Sequence, residues 1–267
     1  GFAANPETAA SNSFQQMASA DEKSVLAEFD GLVAALREHG VEVSILEDDP
    51  DQPSHDAIFP NNWVSFHEDG RIVIYPMFAE NRRRECRVAE LLDLVGPREV
   101  IDLRDGVRHG WALEGTGSLV LDRANRIAYA CKSPRTHPDA VQAWCGKMDF
   151  QCLVFEAEFQ GVPVYHTNVV LAVGAQEALV WDGIQAGRDQ LLASLEQAGK
   201  SIHFFDDAGL QCFVGNALEL EGDVRAWWMS SAAADWWGDR LEKRSAPIPA
   251  IGRVGGGSVR CMLCEVF

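Results

Sequence analysis

Apolar and polar residues follow two different periods along the chain, and these periods predict helices and strands in a repeated order. Apolar residues three and four positions apart indicate helices, whereas alternating or short continuous apolar runs bounded by turn residues indicate strands. Residues 1–18 show neither period and predict a loop. After this loop, the pattern predicts a helix over 20–38, strands over 41–47, 63–68 and 71–77, a helix over 80–95 and a strand over 99–103.

The order of two strands, one helix and one strand recurs about five times along the chain and ends in a predicted strand over 259–267 (VRCMLCEVF). A doubly wound fold would alternate single strands with single helices. No low-complexity linker or charge run marks a boundary. The pattern therefore predicts one α/β domain over residues 1–267, built from repeated mixed modules.

Composition and net charge argue against nucleic acids and membranes as binding partners of this protein. The 267 residues are 47% hydrophobic and 24% charged, with no apolar run approaching the roughly 20 residues of a membrane helix. A net charge of −17 makes nucleic acid and anionic membranes poor partners. Seven scattered cysteines without a secretory signal predict reduced thiols in the cytoplasm.

The stretch GGGSVRCMLCEVF, residues 255–267, carries the first candidate for chemistry. Cys261 and Cys264 have the spacing of a zinc half-site or a redox pair, but residues three apart on a strand face opposite sides and no second such pair exists. A buried strand with both cysteines as small hydrophobes is one interpretation. Since glycines permit close approach of the backbone to a ligand, the alternative is a thiol nucleophile at a pocket rim.

A cysteine nucleophile needs a base and a group that orients the base. His166 lies in the apolar run VPVYHTNVVLAVG, and Asn168 would face the same side of a strand there. A buried histidine without a catalytic role is the alternative interpretation. Glu114 lies in the glycine turn LEGTGSLV, where a carboxylate faces either a pocket or solvent.

Two further stretches offer groups that could bind a polar substrate. HDAIFPNNW brings Asp56, Asn61 and Asn62 together, although such residues also form Asx turns. Arg83 in ENRRRECR and Arg135 in SPRT are cations that by default would lie on the surface.

Together, the motifs FPNNW, NRRRE, SPRT, YHTN and GGGSVRCML resemble the guanidine-modifying superfamily with the pentein fold, closest to its citrulline-utilisation hydrolase branch within the amidinotransferase-like enzymes. The superfamily includes arginine deiminases and dimethylarginine dimethylaminohydrolases. The resemblance covers almost the whole chain and implies a five-bladed α/β propeller of ββαβ modules. It also implies that the first module lacks an N-terminal strand.

The same resemblance assigns roles to these residues. It implies that Cys261 is the nucleophile, His166 the acid and base, and Glu114 the orienting acid. The residues that it implies for substrate binding are Asp56, Asn61, Asn62, Asn168, Arg83 and Arg135, with the two arginines on the α-carboxylate. Deiminases commonly grip a guanidinium with two acids, so amides at 62 and 168 favour citrulline or a modified arginine over free arginine.

The resulting hypothesis is a cofactor-free cysteine hydrolase of C–N bonds in a small guanidino or ureido amino acid. An amidinotransferase that passes the covalent adduct to an amine shares the first half of the mechanism. A non-catalytic binding protein on the same scaffold is the third alternative. A homodimer is compatible with each of them.

Overall fold

The computed structural model describes residues 3–49, 51 and 53–267. Its helices are α1 Pro6–Ala9, α2 Glu22–Glu38, α3 Val88–Val95, α4 Gly115–Ser118, α5 Pro138–Met148, α6 Thr167–Val170, α7 Arg188–Gln197, α8 Asp207–Gln211, α9 Ser231–Trp237 and α10 Pro249–Gly255. Shorter 3-10 helices cover Pro60–Asn62, Glu80–Glu85, Arg104–His109, Gly238–Arg240 and Val259–Met262. Within the described residues, no helix combines the length and the apolar character needed to cross a bilayer.

The strands form four three-stranded sheets and one two-stranded sheet among the described residues. They are β1 Val64–Phe66, β2 Arg71–Ile74, β3 Glu99–Asp102, β4 Leu119–Asp122, β5 Ile127–Cys131, β6 Gln151–Phe155, β7 Glu158–Phe159, β8 Val162–Pro163, β9 Leu171–Val173, β10 Glu177–Trp181, β11 Ser201–Phe205, β12 Leu218–Glu221, β13 Arg225–Ser230 and β14 Lys243–Ala246.

All four three-stranded sheets have the same topology. The second strand is central, pairs antiparallel with the first and parallel with the third, and is joined to the third through a helix. A hairpin turn suffices for an antiparallel pair, whereas a parallel pair needs a crossover, which here contains α3, α5, α7 or α9. The predicted order of strand, strand, helix and strand is confirmed in these sheets, and the fold is mixed α/β.

Burial explains why the central strands are the most apolar segments of the chain. In β2, β5, β10 and β13, nearly every residue after the first is buried, whereas the third strands of the same sheets are largely exposed or half-buried. A strand that is covered on both faces reads as a continuous apolar run. This is why runs such as IAYAC at 127–131 predicted strands from the sequence alone.

Several predicted elements differ from the structure, three of them outside the segment around His166. The predicted helix over 80–95 is divided into the 3-10 helix Glu80–Glu85 and helix α3, because Cys86 and Arg87 have non-helical backbone angles. Residues 259–262 of the predicted last strand form the 3-10 helix Val259–Met262. Residues 41–47 and 263–267 belong to no strand, since a strand requires a hydrogen-bonded partner and alternation alone does not supply one.

Short helical turns precede the first strand of several sheets and bring the candidate site together. Pro60–Asn62 leads into β1, α4 into β4 and α6 into β9. The first of these turns contacts α4 and Val259–Met262, and α4 also contacts α6. The turns therefore meet in one place, although they are far apart in the sequence.

Candidate active site

A small cavity of about 20 Å³ lies where these turns meet. A cavity of this size holds about one water molecule and no amino acid. Its walls include the amino-terminal segment, the turn before β1, the 3-10 helix Glu80–Glu85, and the glycine-rich stretch before Cys261. The lining residues are Thr8, Asn12, Asp56, Phe59, Asn62, Arg82, Arg135, Tyr165, His166, Gly255, Gly256, Gly257 and Cys261.

Glu114 and His166 form a buried pair, of which His166 lines the cavity. They immediately precede α4 and α6 respectively, and His166 Nε2 lies 2.8 Å from Glu114 Oε2. The backbone N–H of Phe78 donates to Glu114 Oε1 at 3.1 Å. Burial opposes ionisation of Glu114, but Arg135, His166 and Arg82 outweigh it and hold the pKa of this carboxyl well below its usual range.

His166 is held at one ring nitrogen and free at the other. Burial, only partly offset by Glu114, lowers the pKa of His166 to about 4, so the ring is neutral near pH 7. Its Nδ1 atom is buried and has no hydrogen-bond partner within the described residues. A Cβ at Gly117 would lie 2.7 Å from this nitrogen, so glycine is needed there. The arrangement leaves Nδ1 available to exchange a proton with another group.

Cys261 lies in the 3-10 helix Val259–Met262, and only 3% of its surface is exposed. Its sulfur faces two buried amides. Asn168 Nδ2 lies 3.6 Å and Asn216 Nδ2 lies 3.2 Å from Sγ. Both amides can donate to the sulfur, so the thiol sits among polar groups inside an otherwise apolar cluster.

Asp56 and Arg82 form a second polar group at the cavity. Asp56 Oδ2 accepts from Asn5 Nδ2 at 2.8 Å and from Thr8 Oγ1 at 3.1 Å, and lies 3.7 Å from Arg82 Nε. Arg82 Nη1 donates to Asn62 Oδ1 at 2.7 Å. Burial disfavours the charge of Arg82, but the surrounding carboxylates outweigh it and raise the pKa of the guanidinium.

Asn61 lies behind the cavity and is not among its lining residues. It is fully buried, donates to Thr116 Oγ1 at 3.2 Å, and accepts from Asn62 Nδ2 at 2.9 Å. A Cβ at Gly115, which has φ +46°, would lie 2.1 Å from the Asn61 carbonyl oxygen. Asn61 therefore fixes the turn before β1 against α4 and so positions Asn62.

The structure separates the two predicted arginines. Arg83 is exposed and donates to the Met77 carbonyl oxygen at 3.3 Å, whereas the adjacent Arg82 lines the cavity. A run of three arginines does not indicate which of them points inward, because that depends on the 3-10 turn. Arg135 does reach the site and is only 3% exposed, so the default expectation of a surface role is wrong for it.

The amino-terminal segment, residues 3–18, covers the cavity and occupies the donors of Arg135. Arg135 Nη2 donates to the Thr8 carbonyl oxygen at 2.7 Å, and Nε donates to Ser11 Oγ at 2.9 Å. At the other side, Asn12 Nδ2 donates to the carbonyl oxygen of Gly256 at 2.9 Å. The sequence predicted a loop here but gave no sign that this loop closes the site.

We expect Gly256→Ala to destabilise the protein by about 1–3 kcal/mol. Gly256 has φ +63°, and an added Cβ would lie 2.6 Å from both Asn12 Nδ2 and Gln15 Cβ. Gly252→Ala is the matched control, since its Cβ would meet only the Gly257 carbonyl oxygen at an ordinary 3.5 Å. Urea denaturation compares the variants, and equal free energies of unfolding would contradict the proposed packing of the segment.

Sequence reasoning missed several buried side chains at the site, among them Arg82 and Asn216. Asn216 lies in FVGNALEL, where a lone amide between apolar residues is the signal that could have identified it. His166 and Asn168 were expected on one face of a strand, but they lie just before and within α6. His166 lines the cavity, and Asn168 lies next to it, with its amide against the Thr116 carbonyl oxygen and Cys261 Sγ.

Comparison with known proteins gives one family match and several structural matches. The family model for N,N dimethylarginine dimethylhydrolase, eukaryotic, matches residues 1–267. No curated protein matches the chain at a significant level.

Among solved structures, the N-terminal domain of ArgZ, an arginine dihydrolase from the ornithine–ammonia cycle in cyanobacteria, aligns with a TM-score of 0.76 at 13% identity, over 96% of this chain and 93% of that domain. AgrE in complex with ornithine and NAD+ aligns with a TM-score of 0.73 at 16% identity, over 93% of this chain but 35% of AgrE. A dimethylarginine dimethylaminohydrolase adduct with S-methyl-L-thiocitrulline gives 0.67 at 15% identity, over 98% and 92%. At these identities, the likeness shows a shared fold.

Proposed function

Because the chain belongs to the eukaryotic N,N dimethylarginine dimethylhydrolase family, within the pentein superfamily of guanidine-modifying enzymes, we propose that it hydrolyses an arginine derivative through a covalent adduct on Cys261. The chain is a hydrolase that acts on C–N bonds other than peptide bonds. The catalytic cysteine, the remaining roles and the substrate are the parts that we propose.

One observation carries the proposal: a thiol and a neutral imidazole line the same cavity, and a buried carboxylate lies against the imidazole. Cys261 and His166 both line the cavity, and Glu114 holds His166 from behind at 2.8 Å. A thiolate is the reactive form of cysteine, and a neutral imidazole can accept its proton. The carboxylate stabilises the imidazolium that forms.

The proposed reaction has two steps. In the first, the thiol proton of Cys261 passes to His166, sulfur bonds to the guanidino carbon, and the C–N bond breaks as His166 returns the proton to the departing nitrogen. In the second, His166 takes a proton from water, the hydroxide bonds to the same carbon, and the C–S bond breaks. The proton returns to the thiolate. Ammonia or an amine and a ureido product are released.

Substrate binding requires the amino-terminal segment to move, since the cavity holds about one water. Movement of Thr8 and Ser11 would free two donors of Arg135, which could then bind an α-carboxylate. Asp56, Asn62 and Asn168 would face the guanidino or ureido end. Arg82 is already bonded to Asn62, Glu85 and backbone carbonyls, so it positions the site.

A five-module architecture is also part of the proposal. Residues 41–47 follow helix α2, in the position that the third strand of each sheet has after its helix. Residues 263–267 follow the 3-10 helix Val259–Met262, in the position that β1, β4 and β9 have after their helical turns. The two segments line a groove of about 1180 Å³. They would supply two strands of a fifth module.

A substrate panel tests the function. We expect ammonia from L-arginine or L-citrulline, or dimethylamine from Nω,Nω-dimethyl-L-arginine, with a ureido or amino-acid product. Agmatine lacks the α-carboxylate and is the matched control; we expect it to react at least about tenfold more slowly, since a charge-assisted pair is lost. Adding glycine as an acceptor separates hydrolysis from amidino transfer. No release from any guanidino or ureido compound would refute the proposal.

A further inference from the structure

Asn216 joins the two segments that carry the candidate catalytic groups. It is fully buried, and one amide hydrogen points to the Asn168 carbonyl oxygen at 3.2 Å while the other points to Cys261 Sγ at 3.2 Å. Its Oδ1 atom accepts the backbone N–H of Cys261 at 3.3 Å. Both hydrogens and the oxygen of this amide are therefore used at the site.

We propose that Asn216 positions the sulfur of Cys261 and favours its thiolate form. The proposal rests on the proposed function only in taking Cys261 as the nucleophile. An amide N–H can donate to a thiolate, and a hydrogen bond to the charged form favours that form. The contact from Asn216 is the shorter of the two amide contacts to sulfur, since Asn168 Nδ2 lies at 3.6 Å.

The loop that carries Asn216 is shaped for this contact. Phe213 has φ +58°, a left-handed conformation that is uncommon for an aromatic residue, and its carbonyl oxygen accepts the Asn216 N–H at 2.9 Å. A Cβ at Gly215 would lie 2.6 Å from the Val169 carbonyl oxygen. The loop is therefore pressed against α6, and this places the Asn216 amide between α6 and Cys261.

The charged groups near Cys261 are paired with one another, whereas neutral amides face its sulfur. The titratable or charged residues that line the same cavity are Asp56, Arg82, Arg135, Tyr165 and His166, with Glu114 behind His166. Glu114 contacts His166 and Arg135, and Asp56 lies 3.7 Å from Arg82, so the arginine charges face carboxylates. The two amides are the neutral donors that the described structure points at the sulfur.

The test uses two substitutions in the free protein, without substrate. Asn216→Asp keeps an oxygen for the Cys261 N–H and removes the donor to sulfur; Asn216→Ala removes both without adding charge. Iodoacetamide labelling of Cys261 is followed against pH by peptide mass spectrometry. Cys152, a half-buried free thiol in β6, is the reference in the same sample. We expect the midpoint of the Cys261 profile to rise by at least one unit and labelling at pH 7 to slow about tenfold, with the Cys152 profile unchanged.

A purely structural role for Asn216 would change stability or accessibility without moving the labelling midpoint, so an unmoved midpoint in the folded variants would overturn the proposal. In the unsubstituted protein, the NMR chemical shift of the Asn216 side-chain amide should change with pH together with the labelling profile of Cys261. An amide chemical shift that stays constant over this pH range would also overturn the proposal. A shifted midpoint without turnover of any substrate would instead reject the proposed function and leave this inference standing.

Discussion

Cys261→Ser is expected to abolish turnover of the guanidino or ureido substrate, with a loss of at least about 10⁴-fold in kcat. A serine hydroxyl is a far weaker acid than a thiol. Burial lowers the pKa of His166 to about 4, so this base would not generate enough alkoxide near pH 7. The substitution replaces sulfur by the smaller oxygen in a residue that is 3% exposed, so the fold should persist. Steady-state release of ammonia or amine measures the effect.

Cys264→Ser is the matched control, because the chain places a second cysteine three residues later. Cys264 Sγ donates to the Val64 carbonyl oxygen at 3.4 Å, and burial raises the pKa of this thiol to about 12. A serine can make the same contact, so we expect near-normal turnover. If activity survives in Cys261→Ser but disappears in Cys264→Ser, Cys264 is the nucleophile and the proposed mechanism is overturned.

Glu114→Gln is expected to lower kcat/KM by about 10²–10⁴-fold, since a neutral amide cannot stabilise the imidazolium of His166. The carboxylate accepts the Phe78 N–H at one oxygen and lies against His166 and Arg135 at the other. In either orientation, the NH₂ group of the glutamine amide would face an N–H donor, from Phe78 on one side or from His166 and Arg135 on the other. The pH profile of kcat/KM should change as well, because the proton affinity of His166 depends on this charge.

The control for this prediction is a second histidine–glutamate contact, which is half-buried: His203 Nε2 to Glu177 Oε1 at 3.1 Å. Glu177→Gln alters a similar pair in the β9–β11 sheet, outside the cavity lining. We expect it to leave kcat/KM within about twofold of the parent, since a half-exposed polar contact outside the cavity contributes little. If both variants lose activity equally, the effect is one of stability, and Glu114 has no special role.

The repeated order of elements could be predicted from the sequence because burial follows directly from local pattern. Central strands such as β10 and β13 are covered on both faces and therefore read as continuous apolar runs. The ends of elements were less predictable. Residues 259–262 have strand-like composition, yet they form a 3-10 helix that turns Cys261 toward the cavity.

The candidate site was predicted residue by residue from motifs, and its failures are specific. The resemblance assigned Arg83 of the motif NRRRE to the substrate, but Arg83 is exposed and the adjacent Arg82 lines the cavity. The two residues differ only in their direction from a 3-10 turn, which the motif does not specify. Asn216 belongs to no motif that was recognised, since its importance comes from contacts with the Asn168 carbonyl oxygen and Cys261.

By itself, the sequence determined the mixed α/β modules and the set of residue types available for chemistry, because hydrophobic periodicity and side-chain chemistry are local properties. The tertiary structure alone decided which of these residues meet. Glu114 and His166 lie 52 positions apart, and Asn216 and Cys261 lie 45 apart. Such contacts depend on how the turns before separate strands pack together, and no local pattern encodes that packing.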